Sequence, residues 1–285
     1  MFDLIHTHTE NAPALTTAQI WDIAPAAFTK TKSPELSRRY GFVDTAQAIS
    51  ILNDHGWNPV RAVQKPSRLS ENIPFQDHMI SFAPFDSVID DRENQPNIIL
   101  YNSHNGKSAL KLFIGVYRCL CSNGIIAGDS LFESKMRHSA TTANGFSNLI
   151  QSQSDNVPAL MDKIDGMQNQ ILDHDQIVDF AYDAVNLRWD MLQDTPPDNR
   201  NGSYADQFRT VKQALRVRRH GDGGNDKYTV FNRLQESLIR GGVDIESFTK
   251  RNPRGKTRKA KPLFSLAETV RVNRELWNLA DSVAA

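Results

Sequence analysis

The chain has 285 residues, 39% of them hydrophobic and 23% charged, and its 33 basic and 33 acidic residues cancel to a formal net charge of zero. This suits a globular protein of one large or two small domains with a real core, and the global charge attracts no polyanion. The composition argues against membrane spans, disulfide scaffolds and export: no window approaches about 18 consecutive apolar residues, Cys119 and Cys121 stand one residue apart without a framework, and Met1–Glu10 lacks a basic segment followed by an apolar run; a reducing cytoplasm is the expected compartment.

In chain order, Thr17 is placed to cap a short helix over Ala18–Phe28, which Pro25 disturbs. Tyr40–Asn53 reads as a helix capped near Asp44, with Ala48, Ile51 and Leu52 on one side and His55-Gly56 as its stop. Trp57–Gln64 follows as a strand whose apolar residues are Trp57, Val60 and Val63. Met79–Pro84 and Asn97–Asn102 are further strands, with an exposed loop expected over Asp86–Pro96. Ser108–Leu120 alternates, Leu110, Leu112, Ile114 and Val116 opposing Lys111, Phe113, Tyr117 and Arg118. Asn105-Gly106 lies between the last two strands. This pair predicts a hairpin with a type I′ turn, which needs positive φ at both central residues.

Asn123-Gly124 and Ala127-Gly128-Asp129 punctuate the end of the sheet region. Residues 139–156 are polar and read as a loop or a weakly packed helix. From Val157 apolar residues recur at steps of three and four, which predicts one long amphipathic helix or a pair ending before Pro196-Pro197. Helices follow over about Tyr204–His220, Lys227–Arg240 and Leu266–Val283. Gly221-Asp222-Gly223-Gly224 reads as a flexible linker, and Gly241-Gly242 as a helix stop. The order predicts an α+β protein: an antiparallel sheet packed by helices over residues 1–138, then a mainly helical region over residues 139–285.

Zero net charge conceals a polarised chain. Residues 155–198 carry ten acids and two bases, whereas residues 209–261 carry fifteen bases and five acids. The sharpest cluster is Lys250–Lys261, with Lys250, Arg251, Arg254, Lys256, Arg258 and Lys259; its Gly and Pro and lack of an apolar anchor predict a mobile basic loop suited to phosphate contacts. The bland alternative is a solvated segment, or one that pairs with the acidic helix of a neighbouring subunit. The sheet region has its own bases, Arg61, Lys65, Arg68, Lys107, Lys111, Arg118, Lys135 and Arg137. They are interleaved with Trp57, Tyr101, Phe113 and Tyr117, a pattern that suits a platform for single strands if both kinds share a face. The alternative is aromatic core beneath an ordinary cationic surface.

Catalytic motifs are weak. His6-Thr7-His8 is an H-x-H pair of the kind some metal hydrolases use, but His55, His78, His104, His138, His174 and His220 show no partner spacing. Cys119-Leu120-Cys121 lacks the C-x-x-C geometry of zinc or redox sites. No P-loop or dinucleotide fingerprint is present. Asp173, Asp175 and Asp179 are expected to face solvent. No metal, cofactor or enzymatic reaction is expected.

Three segments carry a family pattern: Asn102–Ala109, Arg118–Gly124, and Tyr228 through Phe231–Glu236 together with Asn273–Trp277. This pattern resembles the phage- and plasmid-encoded proteins grouped as domain-of-unknown-function family 932. A more distant resemblance lies in Tyr40–Gln64, where Asn53, Gly56 and Trp57 match the helix–Gly-Trp–strand opening of single-strand annealing proteins of the Rad-fifty-two superfamily. The second departs from its pattern after the sheet, where residues 125–156 are polar rather than a basic, alanine-rich helix. It implies a ring or helical homo-oligomer with aligned sheets and single-stranded DNA in a basic groove beside the hairpin, annealing without metal or nucleotide. The leading expectation is a single-stranded-DNA-binding recombination protein of a mobile element. The alternative is a phage or plasmid protein that binds a host protein, with the acidic helix around Asp173–Asp194 as its surface.

Overall fold

Capping side chains define the first two helices. Thr16 and Gln19 form a reciprocal capping box that opens α1 (Thr17–Ile23), one residue earlier than Thr17, and Pro25 turns the chain into a 3-10 turn over Pro25–Phe28. The Asp44 carboxylate accepts from the N–H groups of Ala46 and Gln47, so α2 (Thr45–Asp54) begins there rather than at Tyr40. Gly56, at φ 85°, ends α2 where the sequence places the stop. The computed structural model describes residues 14–38, 40–85, 94–118, 121–126, 133–136, 143–189, 209–249 and 252–283. The chain divides into two units, residues 1–125 with 131–157, and residues 126–130 with 158–285.

In the first unit six strands form one sheet: β1 (Trp57–Gln64), β2 (His78–Pro84), β3 (Asn94–Asn102), β4 (Leu110–Arg118), β5 (Cys121–Ile126) and β6 (Glu133–Met136). Their order is β1-β2-β3-β4-β5, with β6 also paired to β4. The strand pairs β1–β2, β2–β3, β3–β4 and β4–β6 are antiparallel. Asn123-Gly124 does not end the sheet; it lies inside β5. Side-chain alternation sets one core face. Trp57, Ala62, Ile80, Phe82, Ile98, Leu100, Leu110 and Leu112 pack against Ala48, Ile49 and Leu52 of α2. Full burial of each large apolar side chain is worth about 1.5–3 kcal/mol.

In β1 the register shifts between Pro59 and Arg61. This irregularity moves the inward parity from Trp57 and Pro59 to Ala62, so that of the three apolar residues named from the sequence Trp57 is buried while Val60 and Val63 are only half-buried. Over residues 143–156 the helix, one of the two forms expected for this polar stretch, is the one adopted. This is α3 (Ala143–Asp155), which buries Phe146 and Ile150 against the same core, while Ser154 accepts from the Trp57 indole N–H at 3.2 Å. The sheet unit therefore runs on past residue 138.

The second unit holds α4 (Val157–Asn169), α5 (His174–Asn186), α6 (209–214), α7 (Lys227–Arg240) and α8 (Leu266–Ser282). The long apolar pattern after Val157 is thus a pair of helices, split where Asp173 caps α5 in a capping box with Gln176. Residues 209–214 fall within the helix expected over Tyr204–His220, and residues 204–208 lie outside the described residues. The Gly221–Gly224 segment is not a loose linker. It includes a 3-10 turn over His220–Asp222, Asp222 is buried, and the Gly224 carbonyl accepts from Arg233 at 2.9 Å.

Every residue of α7 from Lys227 to Ile239 is buried, polar ones included. Such a helix is stable only if its side chains find partners. Glu236 takes a two-pronged ion pair from Arg219 at 2.9 and 3.2 Å, Gln235 donates to Asn273 of α8 at 2.8 Å, and Ser237 donates to the Ala214 carbonyl at 2.9 Å. Phe231 meets Trp277 edge-on at 5.8 Å. Gly241 and Gly242, at φ 69° and 79°, end α7 as predicted. The chain then enters β7 (Asp244–Thr249) and β8 (Asn252–Lys259), an antiparallel two-stranded ribbon. The overall class is α+β, with the sheet in the N-terminal half and helices in the C-terminal half.

Candidate nucleic-acid interface

Within the basic run at 250–261, residues Asn252–Lys259 form a strand rather than the expected mobile loop. Arg254, Lys256, Arg258 and Lys259 lie in β8, with Lys256 opposite Ser247, Arg258 opposite Ile245 and Lys259 opposite Asp244. The base of the ribbon is fixed by a small core of Val243, Ile245 and Ala260, against which Trp189 packs, and by the hydrogen bonds Gly242 N–H to Ala260 O and Ala260 N–H to Val243 O, both 2.8 Å. Arg258 and Lys259 are exposed, and Lys259 reaches Asp244 at 3.7 Å. Lys250 and Arg251 fall outside the described residues. Composition hid this strand because its apolar partners, Val243 and Ile245, precede the basic run.

Two guanidinium groups close the helix end from which the ribbon springs. Arg188 donates to the carbonyls of Leu238 and Lys261, and Arg218 donates to Gly241 O at 3.0 Å. Cations at a helix C-terminus meet its negative dipole end. Burial lowers the Arg188 pKa from its ordinary value; nearby Glu268 opposes this, and Arg258 adds to it.

The sheet brings some of the expected residues together. Register places Arg61, Ser81, Ile99, Phe113 and Glu133 in one cross-strand row, and Val63, Met79, Tyr101, Lys111 and Lys135 in the next. Arg61 and Lys111 thus share the face opposite α2 with Tyr101 and Phe113, and Lys135 is the register partner of Lys111. Trp57 belongs to the core face. Yet Tyr101 and Phe113 are buried, which removes them as a stacking platform. The Lys111 ammonium lies 6.0 Å from the Phe113 ring centroid. Lys65 is 3.9 Å from Asp77, and Arg68 is exposed just beyond β1. Arg118 is opposite Asn94. Arg137, Cys119, His6 and His8 lie outside the described residues, among which no cluster of three or more His, Cys, Asp or Glu side chains has metal-binding geometry.

The hairpin at Asn105-Gly106 exists, but its turn is not the expected tight one. Residues 103–109 connect β3 to β4, and Gly106 sits at φ 75° with the Asn105 side chain accepting from Lys107 N–H at 3.0 Å. The loop folds inward. Ser33 N–H donates to His104 O at 2.9 Å, His104 N–H donates to Phe75 O at 3.2 Å, and a Cβ on Gly106 would come within 2.5 Å of Leu36. Lys107 alone of the loop's bases stays on the surface.

His104 instead completes a fully buried polar cluster with Thr45, His78 and Asn102. His78 Nδ1 lies 2.9 Å from Gln76 O, a group that only accepts, so Nδ1 carries the proton and Nε2 is the acceptor. Thr45 Oγ1 donates to that Nε2 at 2.9 Å and accepts from Asn102 Nδ2 at 2.9 Å. His104 Nε2 lies 3.5 Å from the same hydroxyl, and its ring sits between those of His78 and Phe42 at centroid distances of 5.2 and 4.8 Å. The cluster ties α2 to the ends of β2 and β3. Thr45→Val keeps the shape and leaves His78 Nε2 without a donor. Stability is expected to fall by about 2 kcal/mol, measured as an earlier urea midpoint; an unchanged midpoint would deny the hydroxyl this role. These residues reveal themselves in sequence only as scattered polar positions, without any shared spacing.

Asp173, which caps α5, and Asp175, Asp179 and Asp183 within it are exposed, as expected for the first three. Partial burial and the neighbouring Asp179 raise the Asp183 pKa above the ordinary carboxylate value. Among the described residues no helix is long and apolar enough to cross a membrane.

A family model described as "Domain of unknown function (DUF932)" matches residues 35–277. The chain is similar to UPF0380 protein YafZ of Escherichia coli (strain K12), 27% identical over 273 residues, covering 94% of this chain and 91% of the relative. It is likewise similar to UPF0380 protein YfjQ of the same organism, 26% identical over 269 residues with the same coverage. No solved structure matches the chain.

Proposed function

The chain belongs to the DUF932 family, and we propose that it binds single-stranded nucleic acid, with the β7–β8 ribbon as the primary contact and the exposed bases of the sheet unit as the secondary one. The observation that carries this reading is the ribbon itself: a basic run held in a strand, with Arg258 and Lys259 exposed and the base anchored by its own apolar cluster. An ordered row of cations pre-pays the ordering that a mobile loop would lose on binding. Phosphate contacts position a strand without reading its sequence. The finer form of the proposal is annealing of complementary strands by a homo-oligomer of a mobile genetic element, in the manner of the Rad-fifty-two superfamily, with backbones held and base edges free.

Fluorescence anisotropy with a labelled oligonucleotide at several salt concentrations tests it. Wild type is expected to bind single strands with affinity that falls steeply as salt rises. In Lys256→Ala/Arg258→Ala, binding weakens about tenfold or more, and the salt slope becomes shallower by about 1.4, at roughly 0.7 per phosphate contact on a single strand. Absence of wild-type binding at low salt removes the proposal. In that event the exposed carboxylates of α5 favour the second reading, a surface for a basic patch on a host protein.

A further inference from the structure

An exposed phenylalanine stands just beyond the basic strand. Phe264 is 73% exposed, although a phenyl ring gains more from burial than most side chains. The backbone on either side of it is pinned. Ala260 N–H donates to Val243 O at 2.8 Å, Leu263 N–H donates to Ile239 O at 2.8 Å, and Ser265, the next residue, caps α8 by accepting from Glu268 N–H. Arg188 holds the Lys261 carbonyl between these points. The segment that presents the ring is therefore tied to the chain just before β7 and to α7, and runs directly into α8. Lys261, three residues earlier, is exposed, as are Arg258 and Lys259 at the end of β8. Three residues of extended chain span at most about 11 Å, so the ring lies within reach of a strand whose phosphates rest on these cations.

From this arrangement we propose that Phe264 is the stacking residue of the ribbon: it receives the face of an unpaired nucleobase while Arg258, Lys259 and Lys261 neutralise the adjoining phosphates. The inference rests on the reading of the ribbon as a single-strand site. The buried Tyr101 and Phe113 leave that role open on the sheet, and the cationic surroundings fit an anionic strand better than a neutral apolar partner. Stacking needs only a π-face, so the contact accepts any base.

The test compares wild type, Phe264→Ala, Phe264→Leu and Phe264→Trp on a labelled oligonucleotide and on an abasic strand of equal length and charge. With the ring exposed, none of the three substitutions disturbs the core, and circular dichroism checks this. Phe264→Ala and Phe264→Leu are both expected to bind the normal strand about tenfold more weakly; Phe264→Trp binds it at least as well as wild type. All four are expected to bind the abasic strand equally. The inference is overturned if Phe264→Leu matches wild type on the normal strand, or if Phe264→Ala loses as much on the abasic strand. Failure of wild type to bind either strand would instead remove the nucleic-acid reading on which the inference stands.

Discussion

Gly241→Ala is expected to cost about 4 kcal/mol or more and to unfold the second unit first. Gly241 adopts φ 69° and ψ −142°, a region open to glycine and closed to residues with a Cβ. A Cβ built there would lie 2.4 Å from the Ala260 carbonyl oxygen and 2.8 Å from the carbonyl carbon and oxygen of Lys261. All three are backbone atoms and do not swing aside. Ala260 O also accepts from Gly242 N–H, and Gly241 O accepts from Arg218, so relieving the clash breaks the bonds that fix the ribbon to α7. The conformational penalty accounts for about 1–3 kcal/mol and the displaced backbone for the rest. Urea unfolding should show an early phase reported by Trp189 and Trp277, while Trp57 in the sheet unit keeps its midpoint. A wild-type midpoint for the variant would mean that the turn relaxes freely.

Acid is the second strong lever, acting on the other unit. Burial pushes the His78 pKa from 6.5 down to about 4, with its hydrogen bond to the Gln76 carbonyl opposing the shift. In the unfolded chain the imidazole takes up its proton near pH 6.5; in the folded chain it does so only near pH 4. Between these values the unfolded state binds the extra proton, so stability is intact above about pH 6.5 and falls as the pH drops towards 4. The full loss attributable to His78 is about 3 kcal/mol. Urea midpoints at a series of pH values should decline across this window, and His78→Asn, which has no titrating group, should flatten the decline even if its neutral-pH stability is lower. An equally steep decline in that variant would assign the acid sensitivity elsewhere.

Local chemistry was the most legible part of this chain. Asp44, the Gly56 stop, the span of α7 and its Gly241-Gly242 end were readable because each is decided by a few neighbouring residues. The alternation of Leu110, Leu112, Lys111 and Phe113 correctly separated the two faces of β4. Features set by distant partners were not readable. The β1 irregularity depends on the register chosen by β2, and β8 forms because β7 pairs with it, despite a composition of Arg, Lys, Gly and Pro. The family pattern around His104 and in Phe231–Glu236 gave a resemblance without a role, and His104, Asn232, Gln235 and Glu236 are interior. Their polarity serves buried hydrogen bonding, which one-dimensional spacing does not distinguish from a binding site. The candidate interface was legible as charge and illegible as architecture.

The irregular first strand also constrains how copies of this protein can meet. β1 forms one end of the strand order, and the backbone next to its shift is already engaged: Leu15 N–H donates to the Pro59 carbonyl at 2.7 Å, and Pro59 itself has no N–H to offer. An incoming strand would find that stretch of ladder both occupied and lacking a donor. A shared sheet running from copy to copy through this part of β1 is thereby disfavoured. A ring or filament of this chain would have to join by side-chain surfaces there, which makes its assembly separable from its folding and open to disruption by surface substitutions that leave each copy intact.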